Sequence, residues 1–183
     1  MIARFVLLGA VGYLMAAQTS CSTNVGEDRL GLMDSGGTGT NTGPTFQTTL
    51  TLKDSSGAIT SQFRSGELIT FELTVLNRTS APITVRFPAL GGYADFQVFD
   101  HGTDNARFDW LANKLFAAVV TDITFDAHGT HTFTGTWDWV DSGGTTVPRG
   151  NYDALGMWIS IRDAGLPLTD EDTRSPRVSF RVN

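Results

Sequence analysis

From Gly66 to Phe87 the chain reads GELITFELTVLNRTSAPITVRF, and the side chains alternate. Ile69, Phe71, Leu73 and Val75 are apolar, while Thr70, Glu72 and Thr74 between them are polar. After Asn77 to Pro82 the alternation resumes with Ile83, Val85 and Phe87 around Thr84 and Arg86. A period of two puts successive side chains on opposite faces, so this stretch predicts two β-strands, each with one apolar face. Pro82 falls in the turn, where its missing N–H costs no ladder bond.

The same pattern recurs from Thr45 onward. TFQTTLTL sets Phe46, Leu50 and Leu52 on one face, and AITSQF leads to a turn at Arg64–Glu67. YADFQVFD presents Phe96 and Val98, and THTFTGTWDW presents Phe133, Trp137 and Trp139. NYDALGMWISI is apolar on both faces, as a central strand would be, and RVSFRV closes with Val178, Phe180 and Val182 inward. Short strands punctuated by Gly, Pro, Asn and Asp predict an all-β fold, an immunoglobulin-like antiparallel β-sandwich over residues 45–183. WLANKLFAAVV is ambiguous between a helical turn and a strand; it is read here as a loop leading into a strand. Tyr152, after Pro148-Arg149-Gly150-Asn151, has two open readings. It is either a corner tyrosine bonded to nearby backbone or an ordinary core residue.

Length and composition fit one domain plus a tail: 183 residues, 40% hydrophobic. The formal net charge of −6 leaves no electrostatic footprint for nucleic acid. The tail is legible. Arg4 precedes an apolar run from Phe5 to Ala17, too short for the roughly 20 residues of a stable membrane span. Small and polar residues follow, so residues 1–21 read as an export signal. Cys21 is the sole cysteine, which rules out a disulfide framework within the chain. Its position resembles a bacterial lipobox, with Thr19 and Ser20 before it and Gln18 where an aliphatic residue is usual. The expectation is lipidation at Cys21 and attachment to the membrane of the cell envelope. The alternative is plain secretion with a cut near Ala17. Residues 22–44, rich in Gly, Ser and Thr, read as a flexible tether reaching roughly 25–30 Å.

Candidate chemistry is sparse. His101, His128 and His131 lack metal-ligand spacing, and His128 and His131 are expected at a solvated turn. No HExxH, G-x-S-x-G or phosphate-cradling glycine loop occurs, so no catalytic residue, metal or cofactor is expected. Asp95, Asp100, Asp109 and Asp138 lie beside aromatics and are read as outer-face or turn residues rather than an acid pair. Asn77-Arg78-Thr79 is read as a turn. Trp110, Trp137, Trp139 and Trp158 make either a stacked core or, on an open face, a platform for sugar or peptide.

Several of these residues carry a family resemblance. Gly66-Glu67, Asn77, Pro82, Phe87, Tyr93-Ala94-Asp95-Phe96 and Asp100-His101-Gly102 resemble the pattern of the bacterial intracellular proteinase inhibitor (BsuPI-type) domain. Phe108 to Trp110, Phe116, and Gly144, Pro148, Gly150 and Tyr152 extend it over about residues 45–162. DAHGTHTF departs from it, where the family carries Pro-Gly-Glu. The resemblance implies an immunoglobulin-like sandwich and inhibition of serine proteases. The partner is then a protein, such as a serine protease, met through a loop or edge strand in extended form. The candidate loops are Pro88, Ala89, Leu90, Gly91, Gly92 and Tyr93, and Asp141 to Arg149 with Pro148 and Arg149. An envelope interaction module that binds a protein or glycan is the other expectation.

Overall fold

The computed structural model describes residues 43–88, 93–112, 114–117, 119–160 and 167–183. The expected export signal, Cys21 and nearly all of the expected tether lie outside the described residues.

The strands are β1 (Phe46–Lys53), β2 (Gln62–Phe63), β3 (Ile69–Asn77), β4 (Ile83–Phe87), β5 (Ala94–Asp100), β6 (Ala106–Asp109), β7 (Thr121–Phe125), β8 (Thr130–Trp137), β9 (Gly150–Trp158) and β10 (Val178–Val182), with one short helix, α1 (Asp170–Thr173), before the last strand. They form a β1-β3-β8 sheet, a β2-β10-β9-β5-β6 sheet and a β4-β7 ribbon. All pairings are antiparallel but one: the two-residue β2 runs parallel to β10 through Gln62 and Phe63.

The alternation buries the residues it should. In β3, Ile69, Phe71, Leu73 and Val75 are each fully buried, and Thr70, Glu72 and Thr74 are partly exposed. Opposite them stand Phe96, Val98, Tyr152, Ala154, Trp158 and Phe180 from the five-stranded sheet. This is an antiparallel β-sandwich with one aromatic core. Phe71 stacks on Phe96 at 5.3 Å, Phe108 on Trp137 at 5.5 Å, and Trp137 lies 4.6 Å from Trp139. Trp139 continues the face from a left-handed backbone (φ 70°) beyond the strand's end. Its indole N–H donates to the Glu67 carbonyl, that of Trp137 to Val140, and that of Trp158 to Thr48 and Asp172. A buried indole needs such an acceptor, and all three have one. These tryptophans are core.

Two glycines let the layers touch. A Cβ on Gly156 would lie 2.5 Å from Leu73 Cδ1, and one on Gly135 would lie 2.6 Å from the Phe96 ring and 3.1 Å from Trp110 Nε1. The tyrosine corner is present: the Tyr152 hydroxyl donates to the carbonyl of Pro148.

The β4-β7 ribbon closes the end of the sandwich where β3 finishes. Phe87 and Phe125 pack on Trp158, and Phe125 also packs on Phe46. Asn77, fully buried, ties the ribbon to the sheet. Its amide donates to the carbonyls of Ala81, Phe125 and Asp126, and its oxygen accepts from the backbone and hydroxyl of Thr79. The Asn-Arg-Thr sequence is thus a buried turn anchor.

Candidate functional site

The two loops expected to meet a partner fall at opposite ends of the sandwich. β5 starts where β9 ends, at the pair Ala94 and Trp158. β9 starts where β10 ends, at Gly150 and Val182. Pro88 is exposed and Tyr93 half-buried, its ring against Phe87 and Phe133. Ala89, Leu90, Gly91 and Gly92 lie outside the described residues. Pro148 and Arg149 are exposed at the other end, with the Pro148 carbonyl committed to Tyr152. The Asp141 carboxylate closes its own turn by accepting from the N–H groups of Gly143 and Thr145. Ser142 then brackets the edge of β6: its N–H donates to Arg107, and its hydroxyl accepts from the N–H of Asp109.

A different segment carries the more unusual surface. Among the described residues the large exposed hydrophobics are Ile59, Leu68, Leu115, Val119 and Val120. Three of these lie between Trp110 and β7, and Leu115 is 101% exposed, as free as in an open chain. The described part of WLANKLFAAVV contains no helix and enters β7 as an irregular loop. Apolar residues held out in water along one segment are a mark of contact surfaces.

This loop is fixed by carboxylates. Asp109, the last residue of β6, accepts the N–H groups of Leu111 and Ala112 on Oδ1, both at 3.0 Å. Asp95, the second residue of β5, accepts the same Leu111 N–H at 3.1 Å and that of Phe96 at 2.8 Å. The Gln97 amide bridges the two carboxyl groups, at 3.3 and 3.2 Å. Asp95 is 4% exposed. Burial, then the charge of Asp109, push its carboxyl up to about 6, against the pull of the two backbone N–H groups. Beyond the brace the chain turns, with Lys114 N–H on the Leu111 carbonyl at 3.1 Å. Lys114 Nζ then sits 3.0 Å from the centre of the Trp110 ring, and Phe116 packs on the same ring at 6.4 Å. Lys114 and Phe116 both fold back on Trp110, and Leu115 between them faces outward.

Sequence reasoning took Asp95 and Asp109 as outer-face or turn residues. The structure instead buries Asp95 and brings the two together, because β5 and β6 are neighbours with Gln97 opposite Asp109. No local sequence signal marks that pairing, which depends on the β5–β6 register. The histidines also part company. His128 is an exposed turn residue, but His131 packs on Phe133 at 4.7 Å and burial lowers its pKa. His101 Nδ1 meets Asp153 Oδ1 at 2.8 Å. The Ser179 hydroxyl donates to that same Asp153 oxygen, at 2.7 Å. A nucleophilic triad needs the hydroxyl on the other imidazole nitrogen, so the three residues form a carboxylate-centred brace instead. Among the described residues no group of three or more His, Cys, Asp or Glu is placed to hold a metal ion.

A β-sandwich that holds out a braced apolar loop offers a candidate contact surface. The family model described as intracellular proteinase inhibitor, BsuPI, matches residues 49–161, more than half of the chain and all of this loop. The chain belongs to that family. No curated protein matches it. Solved structures that it resembles include an alkylpurine DNA glycosylase of Pseudomonas fluorescens (11% identity, 77% of this chain and 31% of that one, TM-score 0.42). Others are a β-glucosidase of Erythrobacter marinus (8%, 75% and 15%, 0.41) and the CARDB domain of a Pyrococcus furiosus protein in complex with di-metal ions (12%, 76% and 90%, 0.39). The chain thus spans under a third of the length of the first two.

Proposed function

We propose that this chain is an exported, lipid-anchored, proteinase-inhibitor-like binding module with no catalysis of its own. The observation that carries this reading is the loop after Asp109. It lies inside the family-matched stretch, is fixed at its base, and holds apolar side chains in water. A stiff loop loses little conformational freedom when a partner closes on it, so more of its contact energy appears as affinity. The N-terminal pattern around Cys21 supports placement at the cell envelope, with the tether as spacer. The partner is then a protease that reaches that compartment.

The reading is tested with the full chain, purified in detergent and titrated against a panel of serine proteases. Inhibition of at least one enzyme at micromolar chain is the expected result; no slowing of any would sink it. Anchoring is tested by growing cells on labelled fatty acid. Label in the wild-type chain and none in Cys21→Ser is expected, and an unlabelled wild type would mean simple secretion.

A second reading, an envelope interaction module, is favoured by the outer edge of β8. Among the described residues β8 pairs only with β3. A groove of about 230 Å³ runs beside it, lined by Tyr93, Phe96, Trp110 and Phe133. An extended peptide added there would gain ladder bonds and aromatic contacts. Cross-linking in cells from Thr132→Cys tests it, a discrete partner being the expected product.

A further inference from the structure

We infer that Leu115 is the anchor residue of the inhibitory contact, and that it selects proteases whose primary specificity pocket is deep and apolar. This rests on the inhibitor reading above and goes beyond it by naming the residue and the pocket chemistry.

A protease cleft is concave and binds extended backbone, taking one side chain into its main pocket while the flanking residues lie along the groove. The inserted residue must therefore point away from its own domain, with neighbours that keep it there. Lys114, Leu115 and Phe116 meet these conditions together. The flanking side chains are both held on the Trp110 ring. Trp110 is held in turn: its backbone N–H donates to the Phe96 carbonyl at 2.9 Å, and its indole lies against Gly135 of β8, where even a methyl group would not fit. The base of the loop is tied to Asp95 and Asp109. Leu115 makes no comparable contact and is wholly in solvent. A branched aliphatic side chain fits an apolar pocket, and it offers nothing to a pocket with a carboxylate at its base, which takes Lys or Arg.

Ile59 and Leu68 are exposed too, but neither has this setting. Ile59 lines a shallow groove beside β1 with Leu50 and Leu52. Leu68 is 44% exposed, at the entrance to β3.

The test uses the full chain against two proteases with apolar primary pockets and two with acidic ones. Leu115→Asp, Leu115→Lys and, as a control exposed leucine, Leu68→Ala are compared with wild type. Circular dichroism and thermal midpoints check that each variant is folded; a wholly exposed side chain leaves folding unchanged. Wild type is expected to inhibit the apolar-pocket enzymes only. Leu115→Asp should weaken that inhibition by roughly 30-fold or more, the loss typical of a central anchor. Leu115→Lys should gain inhibition of the acidic-pocket enzymes, and Leu68→Ala should match wild type. If the wild-type chain inhibits and Leu115→Asp stays within about twofold of it, the anchor assignment is overturned while the inhibitor reading stands. If the wild-type chain inhibits none, both fall.

Discussion

Asp95 and Asp153 lie on adjacent strands of one sheet, 4% and 5% exposed, yet the protein shifts them in opposite directions. Asp153 meets partners that favour its charge. Burial works against its charge, but the Gly102 N–H, the Ser179 hydroxyl and His101 outweigh burial and hold the carboxyl below its ordinary value. Asp95 has donors too, but it also faces Asp109, and burial together with that like charge raises it. Equal depth therefore does not set the sign; the neighbours do. The satisfied carboxylate secures the β5-β6 turn, a purely structural joint. The opposed one anchors the loop that holds Leu115.

The largest effect is expected on the satisfied side. Asp153→Ala removes the buried, charged acceptor that the Gly102 N–H, the Ser179 hydroxyl and His101 share, although those three partners are themselves exposed. It should cost about 2–4 kcal/mol in urea denaturation. A loss under 1 kcal/mol would mean that water replaces the carboxylate, and the contrast with Asp95 would lose its meaning.

Next comes a link between core and loop. In Gly135→Ala the new methyl group meets the Phe96 ring and the Trp110 indole. The sandwich should lose about 1–3 kcal/mol, the usual cost of overpacking. Because Trp110 must give way, inhibition should weaken as well, although the substitution lies on a strand and not on the loop. Destabilisation with unchanged inhibition would show that Trp110 does not position Leu115.

The third test reads the sign of the Asp95 shift. The folded carboxyl sits at about 6, above the ordinary 3.8, so the folded state holds this proton more tightly than the unfolded chain does. Its contribution to stability is complete below the unfolded value and is lost as pH rises through about 4 to 6. Asp153 runs the other way, its contribution present at neutral pH and lost in acid. In Asp95→Asn the side-chain oxygen still accepts from Leu111 and Phe96, and the charge facing Asp109, Gln97 and Lys114 is gone. Stability at pH 7 should rise, and the decline between pH 4 and 6 should flatten. Denaturation midpoints from pH 4 to 8 check it; an unaltered slope would remove Asp95 as its source.

The fold was legible because its signal is local. Period-two alternation in β3 and β4 and Pro82 in a turn are each decided within a few residues, whereas the residues around Tyr152 fit a corner and a core position alike. The brace was not legible, because its parts are far apart in the chain. Asp95 and Leu111 meet only after β5 and β6 have paired, and Gln97 bridges two carboxylates only because Asp109 is its cross-strand partner. Spacing along the chain carries no trace of that register. The apolar loop misleads for a related reason. Trp110, Leu111, Leu115 and Phe116 have the composition of a core segment, and only the filled interior, already closed by Phe71, Phe96 and Trp137, leaves Leu115 outside.

The smallest effect, and the most direct probe of the loop, is expected at Lys114. Its ammonium lies over the Trp110 face, and burial lowers its pKa despite the opposing attraction of Asp95. Lys114→Met keeps the aliphatic stem on the ring and removes the charge; Lys114→Ala removes both. If the cation holds the loop, the two variants should lose similar stability, about 0.5–1 kcal/mol, and inhibition should fall equally. If the stem suffices, Lys114→Met should behave as wild type and only Lys114→Ala should release the loop. Either result still ties inhibition to the Trp110 platform. Full inhibition by Lys114→Ala would not: Leu115 would then reach its partner without the neighbour that turns it outward, and the loop's fixed shape would have no part in binding.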